Sequence, residues 1–154
     1  KYRSANLLKS NIMKKVHHVL QQKQAAIFSI SPSASVFEGL KLMMEKNISA
    51  LLAIENEQLC GIFSERDYAR KIALKGKSSK ETLIKDVMTA DLITITSNDS
   101  IDYCMQIMTE KHIRHLPVVE NGKVKGMISI GDAVKSVIED QQQTIEHLQS
   151  YISG

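Results

Sequence analysis

Gly61-Ile62-Phe63-Ser64-Glu65-Arg66-Asp67 returns 65 residues later as Gly126-Met127-Ile128-Ser129-Ile130-Gly131-Asp132. Extending that register lays Ala25–Leu74 on Ala90–Glu139 without a gap, and 13 of the 50 positions are identical. Ile30/Ile95, Glu45/Glu110, Ile48/Ile113, Leu51/Leu116 and Asn56/Asn121 are among them, and Val36/Ile101 and Leu42/Ile107 keep their character. A gapless match of this length marks an internal duplication, which dictates architecture ahead of any local propensity.

Each copy predicts the same order of elements. A short β run, Ile27–Ile30 or Leu92–Thr96, precedes a polar helix start at Ser31-Pro32-Ser33 or Ser97-Asn98-Asp99. Apolar residues then recur at helical spacing, as Val36, Leu40, Met43 and Met44, or as Ile101, Met105 and Met108. Two further apolar runs flank a turn, Glu55-Asn56-Glu57 in the first copy and the hairpin-forming Asn121-Gly122 in the second. A last helix starts near Ser64 or Ser129. The fold class expected is therefore α/β (α+β), two β-α-β-β-α units. Each is too small to bury its apolar surface alone, so the two pack about a pseudo-twofold axis with a shared core and two related clefts.

The expected segments are an N-terminal extension over 1–18, a first domain over 19–80, a second over 81–140 and a helical tail over 141–154. Leu7, Leu8, Ile12, Met13, Val16 and Val19 make the extension partly apolar, as Ile138, Ile145 and Leu148 do the tail. Both ends are candidates for self-association, partner binding or packing on their own domain. The basic stretch Lys75–Lys85 reads as a linker, partly helical.

Composition narrows the function classes. The 154 residues carry a net charge of only +3, with 24% charged and 43% hydrophobic residues. That charge gives no general affinity for nucleic acid or membrane, and no apolar run approaches the ~20 residues of a membrane span. No stretch reads as a signal peptide, although the sequence begins at Lys1 rather than methionine. Cys60 and Cys104 lie in dissimilar contexts without metal-ligand spacing, which suits reduced thiols in a cytoplasmic protein. Neither His112-x-x-His115 nor His17-His18 has a third ligand nearby, so no metal is expected. There is no nucleophile elbow, phosphate loop or dinucleotide fingerprint, and no enzyme is expected.

The strand ends at Ile30 and Ile95, the run Ile113-Arg114-His115-Leu116-Pro117-Val118-Val119 and the doubled Gly-x-x-Ser-x-x-Asp together resemble the cystathionine β-synthase (CBS) domain family, in its tandem arrangement, the CBS pair or Bateman module. The resemblance covers about Val19 to Ile138. Ser64-Glu65-Arg66-Asp67-Tyr68-Ala69-Arg70-Lys71 is similar to small stand-alone bacterial CBS-pair proteins. The first copy departs from the pattern in carrying Leu52 where the second has Pro117.

The residues themselves leave two readings of Ser64-x-x-Asp67 and Ser129-x-x-Asp132. Serine followed three residues later by an acid has the form of a helix capping box. The resemblance adds that Asp67 and Asp132 hold ribose, a carboxylate being a fitting acceptor for two vicinal hydroxyls. Ser64 and Ser129 would stand beside the nucleotide, with Ile30, Leu51, Leu116 and Pro117 along the adenine. Arg114 and His115 are either exposed at a strand edge or, as the resemblance implies, phosphate ligands opposite Asp67. Ser49 and Ala50 would then oppose Asp132, whose own copy supplies Thr89 and Thr94. Arg66 and Arg70 belong to a solvated basic face or reach polyphosphate at a dimer interface.

The resemblance thus implies a regulatory module that binds AMP, ATP or NAD(H) and reports energy or redox state to a protein partner or through its own homodimer. The alternative is a structural interaction module that binds no ligand. No catalytic cofactor, nucleic acid or membrane is expected as partner.

Overall fold

Ser35 and Ser100, superposed by the 65-residue register, each open a helix. The Ser35 hydroxyl accepts from the Glu38 amide at 3.1 Å, and the Glu38 carboxylate accepts from the Ser35 amide at 3.3 Å. Ser100 accepts from the Tyr103 amide at 3.1 Å. Both helices run eleven residues, and each ends on a left-handed residue, Asn47 (φ 53°) and His112 (φ 55°). His112 is thereby accounted for as a helix terminator.

The computed structural model describes residues 14–24 and 26–153. Leu7, Leu8, Ile12 and Met13 of the expected extension lie outside them. The elements are α1 (Val16–Lys23), β1 (Ser29–Ile30), α2 (Val36–Lys46), β2 (Ala50–Glu55), β3 (Gln58–Ser64), α3 (Glu65–Tyr68), which continues as a π-helical stretch (Ala69–Ala73), α4 (Ile84–Val87), α5 (Ile101–Lys111), β4 (His115–Glu120), β5 (Lys123–Ser129) and α6 (Ile130–Ser153).

In the first copy β1 lies parallel to β2, and β2 pairs antiparallel with β3. Asn56 and Glu57 both take positive φ, at 50° and 64°, which turns the hairpin with the strands' own twist. Asn121 and Gly122 repeat this at 52° and 77° between β4 and β5.

The second copy's expected first strand over Leu92–Thr96 shrinks to one parallel bridge, Ile95 against Val118. In the first copy the Leu52 amide donates to the Phe28 carbonyl at 3.4 Å. Pro117 stands at the equivalent place and has no amide hydrogen to donate. The ladder therefore keeps only the Ile95–Pro117 and Val119–Ile95 hydrogen bonds, both 2.9 Å.

Two compact units emerge, interleaved along the sequence. One holds Ala26–Thr94 with Glu120–Val124; the other holds the described residues within Lys1–Ala25, Ile95–Val119 and Lys125–Gly154. The first unit's core joins Val36, Met43, Leu51, Ala53, Phe63 and Ile72 to Ile84 and Val87 of α4. The expected linker is thus partly core. In the other unit α1 takes the matching place: Val16 is buried, its amide donates to the Asp99 carbonyl at 2.9 Å, and Ile101 donates to the Lys14 carbonyl at 3.1 Å. Each copy is completed by the short helix that precedes the other copy in sequence.

Candidate functional site

The repeated glycine prepares each site by what it lets approach. A Cβ at Gly61 would stand 2.7 Å from the Met88 sulfur and 2.8 Å from the Thr89 carbonyl oxygen. Without it, residues 88–89 lie along β3, and Ile62 and Thr89 exchange backbone hydrogen bonds of 2.9 and 2.8 Å. That contact carries the Thr89 hydroxyl to the Asp67 carboxylate, where it donates to Oδ1 at 3.3 Å. At Gly126 the follower is α1, whose Leu20 would meet an added Cβ at 2.7 Å.

Asp67 stands in the first turn of α3. Its Oδ2 accepts from the Ser64 amide at 3.0 Å and the Ser64 hydroxyl at 3.1 Å, while Ser64 Oγ accepts from the Asp67 amide at 3.2 Å. The capping box is therefore formed. Lys71, four residues on, brings its ammonium to 3.2 Å from Oδ1. The π-helical stretch that holds Lys71 has a wider turn, shown by the Leu74 amide donating to the Ala69 carbonyl at 3.0 Å. Such stretches recur at functional sites.

Asp132 repeats the box: Oδ2 accepts from the Ser129 amide at 2.9 Å, and the Asp132 amide donates to Ser129 Oγ at 3.1 Å. Its cation comes from elsewhere. Lys23, the last residue of α1, donates to Oδ2 at 2.9 Å and to the Met127 carbonyl at 3.2 Å. Ser136 occupies the place of Lys71, with a buried hydroxyl that has no hydrogen-bond partner among the described residues. Burial raises the Asp132 pKa, but the Ser129 amide and the Lys23 ammonium outweigh it and hold the carboxyl below its usual range.

Ser49 and Arg114 stand just before β2 and β4. The Ser49 carbonyl accepts from the Glu65 amide at 3.0 Å and the Arg114 carbonyl from the Ile130 amide at 2.8 Å. Each is pinned to the helix start that carries its own copy's aspartate. His115 follows, half-buried, and its imidazole pKa is lowered by burial and by Lys23 and Arg114, against the opposing pull of Asp132. His115 thus sits in the field of Asp132, whereas sequence pairs it with Asp67. Thr89 moves the other way: sequence assigns it beside Asp132, and its hydroxyl lies on Asp67.

Ala50, Leu51, Leu116 and Pro117 are buried strand residues. Ile30 is half-buried on β1, in register with Ala53. Thr94, Arg66 and Arg70 are exposed. Lys23 escapes the sequence reading, and Lys71 enters it only as part of the basic run with Arg66 and Arg70, not as the partner of Asp67. An acid and a lysine four residues apart could have flagged Lys71, but nothing local ties Lys23 to a residue 109 positions away. Among the described residues no three His, Cys, Asp or Glu side chains converge as a metal site, and no helix is long and apolar enough to cross a membrane.

Comparison with known proteins agrees with this fold. A family model for the CBS domain matches twice, over residues 22–74 and 84–139. The mitochondrial CBS domain-containing protein CBSX3 of Arabidopsis thaliana is 40% identical over 125 residues, 78% of this chain and 61% of that protein, so the chain spans less than two thirds of that relative. The crystal structure of the CBS domain NE2398 superposes with a TM-score of 0.79 at 44% identity, covering 82% of this chain and 98% of that one. The CBS domain pair of MJ0100, solved with 5′-methylthioadenosine and S-adenosyl-L-methionine, shares the fold at a TM-score of 0.70 and 23% identity, covering 80% and 94%.

Proposed function

The chain belongs to the CBS-domain family as a tandem pair, and from that premise we propose that it is a regulatory module whose Asp67 and Asp132 carboxylates hold the ribose of adenine nucleotides. One observation carries the reading: both carboxylates, fixed at a helix start by a serine cap, keep a lysine ammonium as partner. The hydroxyls of a ribose donate to a carboxylate as an ammonium does. A ligand with both ribose and phosphate takes over the carboxylate and offers the displaced ammonium a phosphate oxygen in exchange. AMP, ATP and NAD(H)-type molecules meet that description.

Arg114 and His115 supply further phosphate contacts in one copy, and Arg66 and Arg70 add exposed cationic charge in the other. The two sites are therefore not equivalent. A ligand that favours one arrangement of the protein shifts its population toward that arrangement, and the module passes this to a protein partner or to its own assembly, without catalysis. The MJ0100 pair holds adenosine derivatives on the same fold; at its level of identity that likeness concerns the fold alone, and the assignment rests on the two aspartates. The free thiols of Cys60 and Cys104 suit a reducing compartment such as the cytoplasm.

A second reading, a structural module without ligand, is favoured by the same carboxylates, since cap and ion pair already give each a complete structural role. A thermal-shift panel of AMP, ADP, ATP, NAD, NADH and S-adenosylmethionine separates them. Binding raises Tm with ligand concentration, whereas a flat response to the whole panel leaves the structural reading.

A further inference from the structure

The two lysines beside the aspartates rank their acceptors in opposite order. Lys71 stands 2.8 Å from the Val87 carbonyl and 3.2 Å from Asp67 Oδ1, so its shorter bond is to backbone. Lys23 stands 2.9 Å from Asp132 Oδ2 and 3.2 Å from the Met127 carbonyl, so its shorter bond is to the carboxylate. A ribose arriving at Asp67 displaces an ammonium that keeps its nearer acceptor. At Asp132 the ribose takes the nearer acceptor away.

The backbone at Lys23 is held in place. Val16 and Val19 of α1 are buried, the His17 amide donates to the Ser97 carbonyl at 3.0 Å, and Leu20 lies against Gly126. The chain leaves α1 at Gln24, where a left-handed φ of 46° and an amide bond of 3.2 Å to the Leu20 carbonyl close the helix. Only the side-chain stem is free to swing, so a displaced ammonium stays beside the carboxylate it has lost. The Lys23 side chain is 32% exposed and the Asp132 side chain 20%, which leaves the pair within reach of a ligand from solvent. The surroundings add no second acid to the exchange: the field at His115 comes from the cations Lys23 and Arg114 and from the Asp132 carboxylate. Hydrogen bonds between ionised partners are roughly twice as strong as neutral ones, so a ligand that takes Asp132 must give the ammonium an anion in return.

We propose that Lys23 is a specificity-determining residue, which makes the Asp132 site select phosphorylated nucleotides and refuse neutral nucleosides. A nucleoside monophosphate carries both halves of the exchange, ribose hydroxyls for the carboxylate and phosphate oxygens for the ammonium. Adenosine carries only the first half and leaves Lys23 without its counter-ion. The inference rests on the ribose reading of Asp132 and adds to it a charge requirement, set by a residue outside the Ser-x-x-Asp box.

Calorimetric titration of adenosine and AMP into the full chain tests it, in an Asp67→Asn background that weakens the other site. There AMP should bind about tenfold more tightly than adenosine, or better. Adding Lys23→Gln, which keeps a donor and removes the charge, should bring the two affinities within about threefold of each other. Lys23→Arg, which keeps the charge, should retain the preference. A preference unchanged by Lys23→Gln, or absent before it is introduced, would overturn the proposal and leave the ribose reading standing. A preference lost equally in Lys23→Arg would assign it to the fit of lysine rather than to its charge, and would also overturn the proposal. Binding of neither ligand would remove the ribose reading of Asp132, and the charge requirement with it.

Discussion

Lys23 closes α1 with its ammonium 2.9 Å from the Asp132 carboxylate, while in the other copy the ammonium at Asp67 comes from Lys71, 3.2 Å away and four residues along the same helix. The two pairs look alike at the carboxylate and differ in the element that supplies the cation. Lys71 joins two turns of its own helix and, by donating to the Val87 carbonyl at 2.8 Å, the end of α4. Lys23 joins the lead-in helix to the start of α6, so whatever displaces it from Asp132 also loosens α1 from that helix start.

The Lys23 pair should be visible in the acid limb of stability. The Asp132 pKa is held below its ordinary 3.8 although burial alone would raise it. A carboxyl whose folded pKa is depressed contributes stability that is whole above its unfolded pKa and lost as pH falls through the folded one. The pair is partly exposed, so its worth is about 0.5–1 kcal/mol. Lys23→Gln should lower stability near neutral pH by that amount and make the acid limb shallower in urea titrations. An unchanged acid limb would contradict the pairing.

His115 reports the same field from the other side. Its imidazole is lowered from 6.5 by burial first, then by Lys23 and Arg114. Its contribution to stability is therefore complete above the unfolded value and fades as pH falls from there through the folded pKa. NMR titration of the His115 ring should find a midpoint below 6.5 that rises in Lys23→Gln and falls further in Asp132→Asn. Opposite movements would mean that His115 does not face this pair.

Gly61 and Gly126 should respond differently to alanine. At Gly61 the new Cβ meets a backbone carbonyl as well as Met88, and neither α4 nor β3 can yield cheaply. Gly61→Ala should cost about 1–3 kcal/mol and push Thr89 away from Asp67. At Gly126 the obstacle is the tip of Leu20. Gly126→Ala should cost less, and pairing it with Leu20→Ala should remove the clash. Equal Tm losses for the two single variants would contradict the distinction.

The two thiols should separate kinetically. Cys104 is buried in α5, and burial, then the nearby Asp99 charge, push its pKa up to about 11. Cys60 is half-exposed on β3. Near pH 8 a thiol-reactive dye should label Cys60 first and Cys104 only as the protein unfolds, since the thiolate is the reacting species. Fast labelling of both would place Cys104 nearer the surface.

Much of this is legible in the sequence because a duplication states each fact twice. The order of elements, both Asn turns and both Ser-x-x-Asp boxes follow from patterns shorter than about ten residues. The shortened second-copy strand is also within reach, since Pro117 announces the missing hydrogen bond, but its effect depends on the register that pairs β4 with Ile95. What stays hidden is long-range. Nothing in Lys75–Lys85 says that Ile84 and Val87 enter the first copy's core, and nothing in Lys23 points to Asp132. Thr89 goes to the wrong aspartate for the same reason: sequence proximity favours its own copy, and the space at Gly61 draws it to the other.

Calorimetric titration with AMP, ATP and NAD+ against the wild type, Asp67→Asn and Asp132→Asn tests the central claim most directly. Asparagine keeps an oxygen for the helix cap and removes the charged acceptor, so a folded variant with weakened binding isolates the ribose contact. Two sites of unequal affinity are expected, each weakened at least tenfold by its own substitution, a loss of about 1.4 kcal/mol. No binding by any of the three nucleotides, or affinities unchanged in both variants, would contradict it.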